Sequence, residues 1–136
     1  MTIEIVNKAC EFLIRKANYE KDDKGKLVPK SLGRCAEYVR NSWDFAFGKS
    51  MPRTNAAKNY GPIYEGLGFE KVFSYPAQEK ALYKPEIGDI CIIQYEPYGH
   101  ICVKTKKGWC SDFMQIDMYG GSIRKKNPPI DIYRLI

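Results

Sequence analysis

Histidine is nearly missing from this sequence: the chain of 136 residues carries one, His100, beside five cysteines at positions 10, 35, 91, 102 and 110. With no second histidine and no Cys-x-x-Cys pair, the spacings of the usual structural zinc sites cannot be made, and no metal is expected. The cysteines are odd in number and unevenly spaced, and a chain of this length buries a core without staples, which excludes a disulfide scaffold. Long apolar runs are missing too. Ile90 to Ile93 is typical of the longest and falls far short of the roughly 20 residues of a membrane span. Glu4, Lys8, Glu11 and Arg15 interrupt the stretch from Met1 to Lys16, so it lacks the apolar region of a signal peptide.

What is present describes a folded basic domain. Hydrophobic residues make up 44% and charged residues 28%, outside the range of chains disordered by composition. Residues 1–136 are expected to form a single domain. Lys and Arg total 22 against 16 Asp and Glu, a formal charge of +6. That excess suits an anionic partner without naming one.

Ile3, Val6, Ala9, Cys10, Leu13, Ile14 and Ala17 recur at three- and four-residue steps and predict a helix with Cys10 on its buried face. Asn18 to Lys30 is polar and aperiodic and reads as a loop with a basic edge. Positions 35, 38, 39, 42, 43 and 46 share the face of a second helix, with Gly33 before it and Gly48 as its stop. Thr54 or Asn55 would cap a short helix broken by Gly61 and Pro62. Strands are expected at Phe69 to Tyr75, Gly88 to Tyr95, His100 to Thr105, Trp109 to Ile116 and Ile130 to Ile136. Short connections make their sheet antiparallel, so the class is α+β.

Cys35 stands in the first turn of the second helix, where free backbone N–H groups and the helix dipole favour a thiolate. It could equally begin the apolar face. Cys10, Cys91 and Cys102 read as core residues; for Cys110 a bond to Cys102 is geometrically conceivable. A cysteine nucleophile needs a base and a group to orient that base, and only His100 offers an imidazole. The orienting group depends on strand register. A three-residue loop at Lys106-Lys107-Gly108 would pair Cys102 with Asp112 and set Asp112 on the face of His100. A two-residue loop at Lys107-Gly108 would pair His100 with Gln115 and turn Asp112 away. The first is preferred here, since Gly108 suits the left-handed position and a carboxylate stabilises imidazolium better than an amide. Tyr98, in the turn before His100, could line a substrate groove or cover the sheet edge.

Gly33-Arg34-Cys35-Ala36-Glu37-Tyr38-Val39, Gly88-Asp89-Ile90 and Gly99-His100-Ile101-Cys102-Val103 resemble the cysteine helix, Gly-Asp strand and Gly-His strand of papain-like cell-wall hydrolases of the NlpC/P60 and CHAP type. The resemblance spans about residues 31 to 116, with Arg34 standing where many of those enzymes carry Asp or Asn. Met51-Pro52-Arg53-Thr54-Asn55-Ala56 is similar to a segment of small amidase effectors that bacteria inject into rivals by type VI secretion. What the resemblance implies is a papain-like NlpC/P60 fold in which N-terminal helices, the cysteine helix among them, pack on an antiparallel sheet. The implied reaction is hydrolysis of an amide in the peptide stem of peptidoglycan. Cys35 would be nucleophile, His100 base and Asp112 its orienting group, with Arg34, Asn55, Tyr98 and Gln115 facing substrate and no cofactor required. The partners implied are the peptidoglycan stem and an immunity protein over the cleft. The protein would be made in the cytoplasm and act in the periplasm or wall of a target bacterium after export by another route. Two other readings stay open: a nucleic-acid-binding module using Lys21 to Lys30 and Arg124-Lys125-Lys126, against which no binding motif is present, and a cysteine protease or transglutaminase-like enzyme acting on protein.

Overall fold

The apolar stripe near the N-terminus winds into α1 (Thr2–Lys16), which turns Ala9, Cys10 and Leu13 inward. The computed structural model describes residues 2–136. The second stripe forms α2 (Cys35–Phe47), burying Val39, Ser42, Trp43 and Ala46 at helical intervals. It ends where expected: Gly48, at φ 72°, donates its N–H to the Asp44 carbonyl at 2.9 Å. Among the described residues no helix is long and apolar enough to cross a membrane.

Between the helices lies a short excursion the sequence pattern hid. Within Asn18 to Lys30, expected as loop, β1 (Tyr19–Lys21) and β2 (Leu27–Pro29) pair as an antiparallel hairpin. Asp22 Oδ1 builds its turn by accepting from the N–H groups of Lys24 and Lys26, both at 2.9 Å. Each strand has three residues and only Val28 among them is even partly covered, so no alternation marks them.

The segment after α2 also departs from expectation. Thr54 and Asn55 cap nothing; a 3-10 turn at Ala57–Asn59 starts from Ala56 without a side-chain cap. Pro62 does not break a helix but sits in the first turn of α3 (Gly61–Gly66), where its missing N–H costs no hydrogen bond. Phe69 then receives Trp43 and Tyr64 edge-on, at ring-centroid distances of 5.0 and 5.2 Å. Such pairs contribute about 0.5–1.5 kcal/mol each beyond area burial and fix α3 against α2.

The remaining elements are β3 (Phe69–Tyr75), β4 (Ile90–Ile93), β5 (His100–Thr105), β6 (Gly108–Cys110) and β7 (Ile130–Leu135), joined in one antiparallel sheet of order β3-β7-β4-β5-β6. The architecture is thus α+β, helices on an antiparallel sheet. β4 is buried at every position, because both faces of the sheet are covered. Ile90 and Ile92 meet the helices together with Leu13, Val39 and Trp43, whereas Cys91 and Ile93 join Phe73, Cys102 and Trp109 on the other side. Each fully buried isoleucine contributes about 1.5–3 kcal/mol, which is why this run is unbroken rather than alternating. The last departure is β6, which stops at Cys110 instead of running to Ile116.

Candidate active site

α2 begins at Cys35, and its start is shaped from a distance. Arg34, the cap position, makes no side-chain capping bond. Instead the N–H groups of Leu32 and Arg34 both donate to Asp112 Oδ2, at 2.6 and 3.1 Å. Gly33 between them adopts φ +71°, a left-handed turn that lets two N–H groups converge on one anion. Ser111 Oγ donates to Asp112 Oδ1 at 3.2 Å, and the Asp112 carbonyl accepts from both the backbone and the side-chain amide of Asn18. Asp112 is wholly buried, so this carboxylate is a clamp on the approach to the cysteine helix.

The Cys35 sulfur sits in a mixed field. Burial pushes its pKa up. The Ile101 N–H pulls it down, the Asp112 charge pushes it up, and the N–H groups of Ala36 and Cys35 pull it down; the balance lies above the ordinary value of 9.0. The helix start alone would predict a lowered pKa, but desolvation outweighs it. Cys35 therefore rests as a thiol.

The His100 ring is held by Gln115, not Asp112. Gln115 Oε1 lies 2.7 Å from His100 Nε2, and Gln115 Nε2 donates to the carbonyls of Asp117 and Met118 at 2.9 and 3.3 Å. Those two donations fix which end of the amide faces the ring. Nε2 must then carry the proton, leaving Nδ1 as the acceptor. Burial lowers the His100 pKa, but the Cys102 sulfur, Gln115 Oε1 and the Asp112 charge outweigh it and raise it above the ordinary 6.5. Gly120 closes this corner at φ +78°: a Cβ there would meet the Gln115 amide at 3.2 Å and His100 Nε2 at 3.3 Å.

The expected His100–Asp112 contact fails on register. Thr105 pairs with Gly108 and Val103 with Cys110, so the loop is Lys106-Lys107, and neither anticipated register is the observed one. The chain then folds back: Ser111 donates its N–H to the Phe113 carbonyl, Cys110 bridges Met114, and the Gln115 N–H reaches the Trp109 carbonyl at 2.9 Å. That reversal sends Asp112 beneath the loop of residues 31–34 and returns Gln115 to the histidine.

Cys35 and His100 line one cavity of about 530 Å³, open to solvent between the start of α2 and the segment of residues 54–60. Arg34, Asn55 and Tyr98 also line it, Tyr98 at 65% exposure. Arg34 is already engaged, its Nε and Nη2 donating to Glu37 at 3.1 and 2.5 Å. Gln115 is not part of the wall; it stands behind the ring. Arg40, which the sequence did not single out, is part of it. Its position four residues after Ala36 was the available signal.

The other cysteines do not compete. All five are unbonded; Cys10, Cys91, Cys102 and Cys110 are buried, and no Cys102–Cys110 bond forms. Cys102 donates to the Met118 carbonyl at 3.2 Å, and burial raises its pKa well above the ordinary thiol value. Among the described residues no group of three or more His, Cys, Asp or Glu side chains is placed to hold a metal ion.

No family model matches the chain, and no curated protein matches it. Solved structures do. A chain of the native type VI effector-immunity complex Tae3-Tai3 from Ralstonia pickettii superposes with a TM-score of 0.72 at 31% identity, covering 98% of each chain. The selenomethionine form of that complex gives 0.73 at 30% identity, over 93% of this chain and 98% of the other. Identity at this level across nearly the whole length is more than a shared fold, and with a cysteine helix and histidine strand facing one cavity the chain belongs to the Tae3 family of type VI effectors.

Proposed function

We propose that this protein is a cysteine amidase that hydrolyses amide bonds in the peptide stem of bacterial peptidoglycan, in the papain-like manner of NlpC/P60 and CHAP enzymes. The observation that carries the reading is that Cys35 and His100 share one open cavity while Gln115 holds Nε2 of the ring. His100 Nδ1 takes the Cys35 proton as sulfur adds to the scissile carbonyl. The backbone N–H groups at the start of α2 meet the oxyanion. Collapse of the adduct expels the amine, which receives the proton from His100, and leaves a thioester; water, deprotonated by the same ring, adds to it, the C–S bond breaks to free the acid, and the Cys35 sulfur takes the proton back from His100. Cys35 and one water supply the protons that move, and His100 carries them.

The proposed setting is the periplasm or wall of a rival bacterium. An immunity protein covering the cleft is the proposed partner, since the similar structures are effector-immunity complexes. The test is digestion of purified peptidoglycan with chromatographic and mass analysis of the fragments. The wild type releases stem fragments, and Cys35→Ala releases none while melting at the wild-type temperature. Full activity in that variant refutes the mechanism.

A further inference from the structure

Two arginines line the cavity, and they are not equivalent. Arg34 is neutralised by Glu37. Arg40 follows Glu37 by three residues and Ala36 by four, and all three face the cavity, so the helix period aims Arg40 along the same wall. Glu37 would be its i, i+3 partner but is held by Arg34. Among the described residues Arg40 pairs with no carboxylate. Its Nη2 donates to the Asn41 amide oxygen at 3.3 Å, and its Nε is shielded from water with no hydrogen-bond partner. Across the cleft stand neutral groups, Thr54, Asn55 and Tyr60. The shielded Nε is out of a ligand's reach, but the Nη end is not shielded in this way, and its charge meets no carboxylate of the protein, so an incoming carboxylate can pair with it along the cavity wall.

We infer that Arg40 is the carboxylate-binding residue of this cleft and selects amide substrates carrying a free carboxylate within about two residues of the scissile carbonyl. The spacing comes from the helix: five residues from Cys35 to Arg40 advance about 7.5 Å along the axis, about the length of two extended residues. The inference rests on the amidase reading and assigns its substrate selectivity to one side chain. It also makes Arg34, engaged with Glu37, the lesser contributor.

The experiment uses two substrates, a purified stem-peptide fragment with free carboxylates and the same fragment with them converted to carboxamides. Each is assayed with the wild type, Arg40→Gln and Arg40→Lys, with melting temperatures measured in parallel. The wild type is expected to prefer the free acid. Arg40→Gln should lose about 10- to 100-fold in kcat/KM on the acid, mainly through KM, and change less than about twofold on the carboxamide. Arg40→Lys should recover part of the loss. Equal losses on both substrates, or a wild type indifferent to amidation, overturn the carboxylate role while leaving the amidase reading intact. A wild type that cuts neither substrate overturns the amidase reading, and this inference with it.

Discussion

Exchanging the roles of two neighbouring polar residues gives the sharpest test of the site. Gln115→Ala removes the one hydrogen-bond partner that His100 Nε2 has among the described residues, 2.7 Å away, on a ring largely withdrawn from solvent. A hydrogen bond to a charged group is worth about 1.5–3 kcal/mol, and the ring is charged when the adduct forms. The loss therefore translates into about a 10- to 150-fold fall in kcat. Asp112→Asn should behave differently. Both clamp donors, Leu32 and Arg34, use the same oxygen, Oδ2, which a carboxamide oxygen can replace. Its amide group would then face the Ser111 hydroxyl, which can rotate to accept. What is lost is charge assistance, about 1 kcal/mol, and turnover should change by less than about fivefold. The Asp112 charge raises the Cys35 pKa, so removing it should speed alkylation of Cys35 by iodoacetamide at neutral pH. Fragment release from peptidoglycan, alkylation rate and melting temperature are measured on both variants. If Asp112→Asn abolishes turnover in a folded protein while Gln115→Ala retains it, the assignment made from the geometry is wrong.

Three further expectations are simpler. Since Cys35 rests as a thiol and only neutral His100 can accept its proton, kcat/KM should rise with pH through a midpoint above 6.5; a plateau extending down to pH 5 would indicate a preformed thiolate and contradict the raised thiol pKa. Gly120→Ala places a methyl group against both Gln115 and His100 at a left-handed backbone position, so kcat should fall and the melting temperature should drop by a few degrees, about 1 kcal/mol of backbone strain. A large loss of stability without loss of kcat would show that the loop yields instead. Buried Asp89 binds Arg134 through Nε at 2.7 Å and Nη2 at 2.9 Å and accepts from the Tyr83 hydroxyl at 2.7 Å, so Asp89→Ala should cost about 3 kcal/mol and lower the melting temperature by about 10 °C. An unchanged melting curve would remove this cluster from the stabilising contacts.

Where burial is one-sided and continuous, the sequence was readable. Both long helices show their stripes in the spacing of apolar residues, and β3, β5 and β7 lie close to where alternation places them. The shared cavity of Cys35 and His100 was anticipated because nucleophile and base have few candidates in so histidine-poor a chain. Gln115 and Asp112 could not be assigned that way. Both registers weighed from the sequence assumed that the strand runs on past Cys110, whereas it ends there and the chain folds back, a reversal that no alternation of residues marks. The β1–β2 hairpin leaves almost no burial signature, since its turn is specified by one Asp22 side chain. Arg40 gains its significance only from Glu37 being occupied, a fact about side-chain pairing that spacing does not carry.

The sheet order has a consequence for how the protein comes together. β7 lies between β3 and β4, so a segment near the end of the sequence joins strands laid down much earlier. Until it arrives, β3 and β4 both present open edges, and the pairings that unite them run from 37 residues apart at Ile93–Ile130 to 66 at Phe69–Leu135. During synthesis the growing polypeptide carries Cys35 and His100 well before it carries the strand that completes their platform. The newborn chain thus holds its cysteine and histidine before it has the scaffold that sets them on one cavity.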